Sequence, residues 1–291
     1  MRKNHLTLEQ RIHNAIGSQT VQEYKARHAY LHGVCYSREE WDLMWYRSVN
    51  TTWAHQFGRM VGWDEVYLNS VEHMDRIAVT SNLEAMVNYP VFQGHDLRSV
   101  GCSGCHVLSS DVIEVADDGR SARASYLTPG TLMGSVGMSG EGRSGIWLWE
   151  RYGSDFVYED GRWQWFHEQV CPDIAGCYDA QDWARDRYLD YLDRDLHIGE
   201  VGGRPAQLSE PGLFHADYSI VQTVQNTVPP PKPYQTLDDD NTYSPGRNDP
   251  TGKQTVHAAP KTPANHTAYS EDENPFRNTR RRNDTAAGPE A

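Results

Sequence analysis

The sequence contains no run of about eighteen apolar residues, the length a membrane-spanning helix requires. It also lacks G-x-G-x-x-G after a strand, a Walker A loop, a G-x-S-x-G elbow and H-E-x-x-H. A dinucleotide fold, a phosphate loop, a serine-hydrolase elbow and a zincin helix are thereby excluded as readings. Basic charge is scarce: 27 Lys and Arg stand against 40 Asp and Glu, a formal net charge of -13. The one compact basic run, Arg280-Arg281-Arg282, reads as a solvated tail. Polyanionic partners, nucleic acid or an anionic membrane, are therefore not expected. Met1 to Ile16 is charged and has no continuous apolar stretch, so no signal peptide is read there and a cytoplasmic, soluble protein is expected. In that setting the five cysteines are expected as free thiols.

What is present suffices for one substantial core, since 38% of the 291 residues are hydrophobic. Thr7 to His32 reads as a helix carrying Leu8, Ile12, Ile16, Val21, Tyr24, His28 and Leu31 near helical spacing, with Gly17 as a candidate break. A second helix starts at Ser37, which with Glu40 has the pattern of a capping box, and Trp41, Met44 and Trp45 follow on one face. Thr51 to His55 is strand-like, a third helix opens near Asp64, and a short one is expected over 82–89. After Gly101 the period changes. Val107–Val115 and Ala122–Leu127 are β segments joined by Asp117-Asp118-Gly119; Ile146–Tyr158 and Trp163–Val170 repeat the device around Asp160-Gly161. Helices followed by an antiparallel sheet define an α+β chain. Beyond Cys177, residues 182–196 could form one more amphipathic helix. The stretch opened by Pro229-Pro230-Pro231 is too poor in aliphatic residues to offset about 1–2 kcal/mol of backbone entropy per residue by itself. That tail is expected to be disordered or draped over the domain or a partner subunit.

Three stretches carry a family resemblance: His106 to Val115 with Asp118-Gly119 and Ala122; Trp149 with Asp155-Phe156-Val157-Tyr158-Glu159-Asp160-Gly161-Arg162-Trp163 and His167; and Tyr36 to Asp42. Together they resemble the SnoaL-like, nuclear transport factor 2-like (NTF2-like) superfamily, which includes scytalone dehydratase and lyases acting on lignin-derived aromatics. The likeness spans residues 7–175. It implies a cone-shaped curved antiparallel sheet covered by N-terminal helices, over 1–176; outside that common domain, composition marks a helical and irregular extension, 177–228, and the Pro-rich tail, 229–291. It further implies a His at the start of the first long strand that lines the cavity and moves a proton, a role that falls on His106. Tyr36 stands where the dehydratases carry a Tyr, whereas Ser37 replaces an expected acidic residue. Many members of the superfamily pair through the convex face, which implies a homodimer.

Strand alternation assigns the remaining candidates. A two-residue turn at Asp160-Gly161 sets Glu159 opposite Arg162, Tyr158 opposite Trp163, Phe156 opposite Trp165 and Ser154 opposite His167. Tyr152, Ser154, Phe156, Tyr158, Trp163, Trp165 and His167 then share one face, assigned to the concave side, with Glu150 as a further inward residue. Asp155 falls on the convex side, and a bulge at Gly153 would invert the upstream half of this assignment. An imidazole accepts and returns a proton near neutral pH, so His106 and His167 are the candidate catalytic pair, with Tyr36 holding a substrate oxygen. Each His also has an ordinary reading, as a polar residue bonded to backbone. Trp53, His55, Tyr152, Phe156, Trp163 and Trp165 are the candidate substrate wall, although packing alone would explain Trp53.

A rival motif is Cys102-Ser103-Gly104-Cys105-His106, the C-x-x-C-H pattern of c-type haem attachment. It competes with a redox pair and with a zinc site completed by Cys171 and Cys177, whose C-x5-C spacing is unusual for zinc. The sequence thus leads to a cofactor-independent, metal-free lyase, dehydratase or isomerase acting on a small aromatic or polyketide-like molecule. A non-catalytic binding or dimerisation module is the alternative, and a haem protein the remote one.

Overall fold

Thr7 and Gln10 start the first helix by capping each other: Thr7 Oγ1 accepts from the Gln10 amide at 3.2 Å, and Gln10 Oε1 accepts from the Thr7 amide at 2.8 Å. The computed structural model describes residues 5–33, 37–55, 58–72, 103–134, 144–177, 200–201, 204–205, 218, 223–224, 227–250 and 252. Helix α1, Leu8–Gly33, runs unbroken through Gly17. It does not bury the face that its aliphatic residues suggest. Leu8, Ile12 and Ile16 are exposed, and Gly17, Val21, Lys25 and His28 point inward. Gly17 explains the choice, because a Cβ there would lie 2.6 Å from the Trp163 ring, so only glycine lets the helix rest on that indole.

Helix α2, Ser37–Met44, and α3, Trp63–Tyr67, close the same side, and α3 continues into a π-helical turn over Leu68–Glu72. The strands are β1 Thr52–His55, β2 Gly58–Val61, β3 Ser103–His106, β4 Ser109–Val115, β5 Ser121–Gly134, β6 Ser144–Glu159 and β7 Arg162–Cys177. They form one sheet of order β2-β1-β7-β6-β5-β3, with β4 also on β5; β1 runs parallel to β7 and the other pairings are antiparallel. Two-residue strands β8, Glu200–Val201, and β9, Arg204–Pro205, pair separately. The expected helices at 82–89 and 182–196 lie outside the described residues.

Both hairpin turns stand where the sequence puts them. Gly119 has φ 70, and Asp160 and Gly161 have φ 53 and 77, the left-handed pair that a two-residue turn requires. From that turn the expected register holds as far as Phe156 opposite Trp165. There Phe166 enters as an extra residue, so Asp155 opposes His167 and Ser154 opposes Glu168. The bulge carries His167 off the concave face and puts Glu168 on it. Phe166 and His167 stack on the other side, with ring centroids 3.8 Å apart.

Trp41, Met44, Trp45, Trp63, Val66, Phe156, Trp163 and Trp165 dominate the core between helices and sheet. The opposite face of the sheet is covered by the chain's own residues 227–250. Asp155, fully buried, holds that segment: its Oδ2 accepts from Thr242 Oγ1 at 2.6 Å, from the Tyr243 amide at 2.8 Å and from His167 Nδ1 at 2.9 Å. Arg123 lies 4.2 Å above the Tyr243 ring, Tyr234 hydrogen-bonds Ser121 at 3.1 Å, and Val228 and Tyr243 lie against Gly153. The Pro-rich stretch therefore borrows the buried surface that it cannot build alone. Among the described residues no helix is long and apolar enough to cross a membrane.

Candidate functional site

The concave side of the sheet is polar at one end and aromatic at the other. At the polar end α1 contributes Lys25, His28 and His32 from successive turns, an i, i+4 spacing of partners on one helix face between the two imidazoles. Their rings stack with centroids 4.9 Å apart. α2 adds Glu40, whose Oε1 lies 2.6 Å from His28 Nδ1. β3 adds His106, with its ring 5.5 Å from that of His32. β6 adds Glu150 and Tyr152: the Tyr152 hydroxyl donates to Glu150 Oε2 at 2.9 Å and lies 3.5 Å from His106 Nδ1.

Beside them is a second buried network. Glu168 Oε2 accepts from Ser154 Oγ at 2.5 Å and from Trp165 Nε1 at 2.9 Å, and Oε1 accepts from the Tyr126 hydroxyl at 3.2 Å. Lys25 Nζ sits 4.6 Å above the Tyr126 ring and 3.5 Å from Asp111 Oδ2. Burial dominates the protonation of this interior. It pushes the Glu168 carboxyl and the Tyr126 phenol well above their ordinary values, so both favour their protonated forms. It pulls Lys25 below its ordinary value against the opposing pull of Asp111. His32 is held well below the usual imidazole value, first by burial and then by His28 and His106. His106 is lowered by burial, with Glu150 acting in the opposite direction.

Three polar atoms at the polar end have no hydrogen-bond partner among the described residues: His28 Nε2, Glu40 Oε2 and His106 Nε2. Buried polar atoms are nearly always paired in folded proteins. Three orphans within one wall mark a place where another molecule or ion would be accommodated.

The residues singled out from sequence divide into four groups. His106 and Tyr152 meet at the polar end. Phe156, Trp163 and Trp165 are buried in the packed core, with Trp165 stacked on Trp45 at 5.5 Å, and Trp53 packs against the same core. His167 is on the opposite face, bonded to Asp155 and, through Nε2 at 3.1 Å, to the Asn50 carbonyl. Tyr36 and the His55 side chain lie outside the described residues, as does Cys102. Cys105 is exposed while its neighbour His106 is buried, so this thiol and this imidazole leave β3 on opposite faces. His28, His32, Glu40, Tyr126 and Glu168 were missed. The signal for the first pair was the spacing His28-x-x-x-His32, visible in the sequence as a helix face. Glu40 was hidden by its capping-box pattern, although its carboxylate turns to His28.

No family model and no curated protein matches the chain. Among solved structures the chain is similar to a protein of unknown function from Mycobacterium tuberculosis, at 13% identity and TM-score 0.39, over 63% of this chain and 94% of that one. A protein assigned as a scytalone dehydratase from Novosphingobium aromaticivorans is similar at 11% identity and TM-score 0.39, over 60% and 94%. An NTF2-like superfamily protein from Salmonella enterica is similar at 14% identity and TM-score 0.36, over 54% and 92%. The elements described above make the protein α+β, a curved open sheet with N-terminal helices, and its solved neighbours include an NTF2-like superfamily protein. At these TM-scores the neighbours carry no argument about chemistry, which rests on the residues above.

Proposed function

We propose that the concave polar end is an active site for proton transfer, serving a lyase, dehydratase or isomerase that acts on a small aromatic or polyketide-like molecule. The observation that carries the reading is the state of His106. Its Nε2 is buried without a partner among the described residues, and its Nδ1 faces the Tyr152 hydroxyl, which donates to Glu150. With that donation fixed, the Tyr152 oxygen accepts from Nδ1–H, leaving the Nε2 lone pair directed at the site. Burial keeps the ring neutral and able to accept a proton. An imidazole whose back nitrogen is oriented by a hydroxyl and a carboxylate has the arrangement of an activated general base. Loss of the proton beside a carbonyl to His106 leaves an enolate, which either expels a β-hydroxyl that departs as water with the returned proton or takes the proton back at another carbon, so one base serves elimination and double-bond migration. Of the two imidazoles read from sequence the proposal keeps His106; the surroundings of His167 support a part in holding residues 242–244.

The test is proton exchange. Full-length protein is incubated in D2O with a panel of aryl ketones and β-hydroxy aryl ketones, and loss of the proton next to the carbonyl is followed by NMR. Wild type should exchange or eliminate at least one class, and His106→Ala should lower the rate by about 10²–10⁴. His167→Ala should stay within about threefold. A His106→Ala rate equal to wild type removes the base from the reading.

A further inference from the structure

We infer that His28, His32 and Glu40 form a binding site for one divalent transition-metal ion of the zinc type. His28 and His32 occupy one face of α1 four residues apart, the spacing at which two imidazoles on a helix share an ion. Glu40 enters from α2, and one donor atom from each of the three residues lies within 4.8 Å of the others. The set is two nitrogens and one carboxylate oxygen. Such donors suit zinc and its neighbours rather than calcium or magnesium, which take oxygen ligands.

Spacing alone would not carry this. The second observation is that Glu40 is 99% buried, with a relative exposure of 1%, yet Oε2 has no partner among the described residues, and neither has His28 Nε2. A simple carboxylate–imidazole pair would consume Oε1 and Nδ1 and leave no reason to bury two further unsatisfied atoms beside them. A cation supplies the missing partner. Its charge is also favoured by Glu150 across the cluster, in a wall where Lys25 is the nearby cation. His106, with its ring 5.5 Å from that of His32, keeps its Nε2 for the substrate and is not counted among the ligands. The site does not depend on the proposed reaction, because occupancy requires only these donors.

The experiment uses the full-length protein after chelator treatment, titrated with Zn²⁺ by calorimetry and with Co²⁺ by its visible absorption. The expected result is one tight equivalent per chain, weakened at least about 100-fold in His32→Ala and in Glu40→Gln. His32 is partly buried and its ring makes no hydrogen bond among the described residues, so His32→Ala reads the site even where Glu40→Gln unfolds the chain. A His5→Ala/His13→Ala double variant, altering histidines bonded to Asp117 and to the Gly119 carbonyl, should bind as wild type does. Absence of a stoichiometric equivalent in wild type, or unchanged affinity in His32→Ala, overturns the assignment. Either result leaves the His106 exchange assay standing, because that assay reads turnover and this one reads occupancy.

Discussion

Asp155 and His167 face each other across β6 and β7, Oδ2 to Nδ1 at 2.9 Å, on the side of the sheet away from the helices. Both side chains are fully buried, and Asp155 also collects Thr242 and the Tyr243 amide. Asp155→Ala strands several donors at once and is expected to destabilise the fold by about 3–5 kcal/mol. Urea unfolding measures that loss. Limited proteolysis should show new cleavage within 227–250, and unchanged cleavage there would mean that the carboxylate does not hold the segment.

Gly17→Ala tests helix α1 against its own propensity. Alanine in a helix interior is ordinarily favoured by roughly 1 kcal/mol over glycine. Here the new methyl would meet Trp163 carbons at 2.6 and 2.8 Å, and the indole is packed in the core. The substitution should instead cost about 1–3 kcal/mol, as overpacking does, and quench or shift tryptophan emission. A stabilised variant would show that α1 stands off the sheet.

Glu168 links stability to pH. Its carboxyl is raised well above the ordinary value of 4.5, first by burial and further by Glu40, against the donors Ser154, Trp165 and Tyr126. A group that holds its proton more tightly in the fold than in the unfolded chain favours folding below its unfolded value. That advantage is lost as pH rises through the folded value. Unfolding free energy should therefore fall as pH climbs from about 5 upward, and Glu168→Gln should flatten the fall. Parallel profiles for the two proteins would mean that Glu168 is already ionised among its three donors.

Residues 227–250 occupy the face through which the sequence resemblance implied pairing. Shortening the chain after Asn226 is expected to uncover Phe166, Val157, Tyr46 and Cys171, which pack with Leu237, Val228 and Tyr243. The shortened protein should self-associate in sedimentation velocity, and the full chain should not pair through that face. A shortened protein that stays monomeric and equally stable contradicts the covering role.

The parts of the fold legible in sequence are those fixed by local chemistry. Asp117-Asp118-Gly119 and Asp160-Gly161 announce turns because few residues tolerate positive φ, and from the second turn alternation brings Tyr152, Phe156, Trp163 and Trp165 to one face. The bulge at Phe166 has no such marker, since the extra residue is an ordinary aromatic, and one uncounted position sent His167 to the wrong side. α1 misled for a different reason. Its inward residues include Lys25, buried because Asp111 and the Tyr126 ring receive it, while Leu8, Ile12 and Ile16 face outward. Polar burial of that kind depends on partners some eighty to a hundred residues distant, which helical spacing does not report. His28 and Glu40, only twelve residues apart, passed as a helix face and a cap because neither pattern reports a contact between two helices.

Because Thr242 and Tyr243 close on a carboxylate inside the sheet, the compositional border near Pro229 is not an energetic one. A length of chain that looks expendable by residue content works as a built-in lining for β5, β6 and β7. Trimming this protein to its helices and main sheet would remove a wall, and tags or fusions joined before Val228 would compete with that wall for its seat.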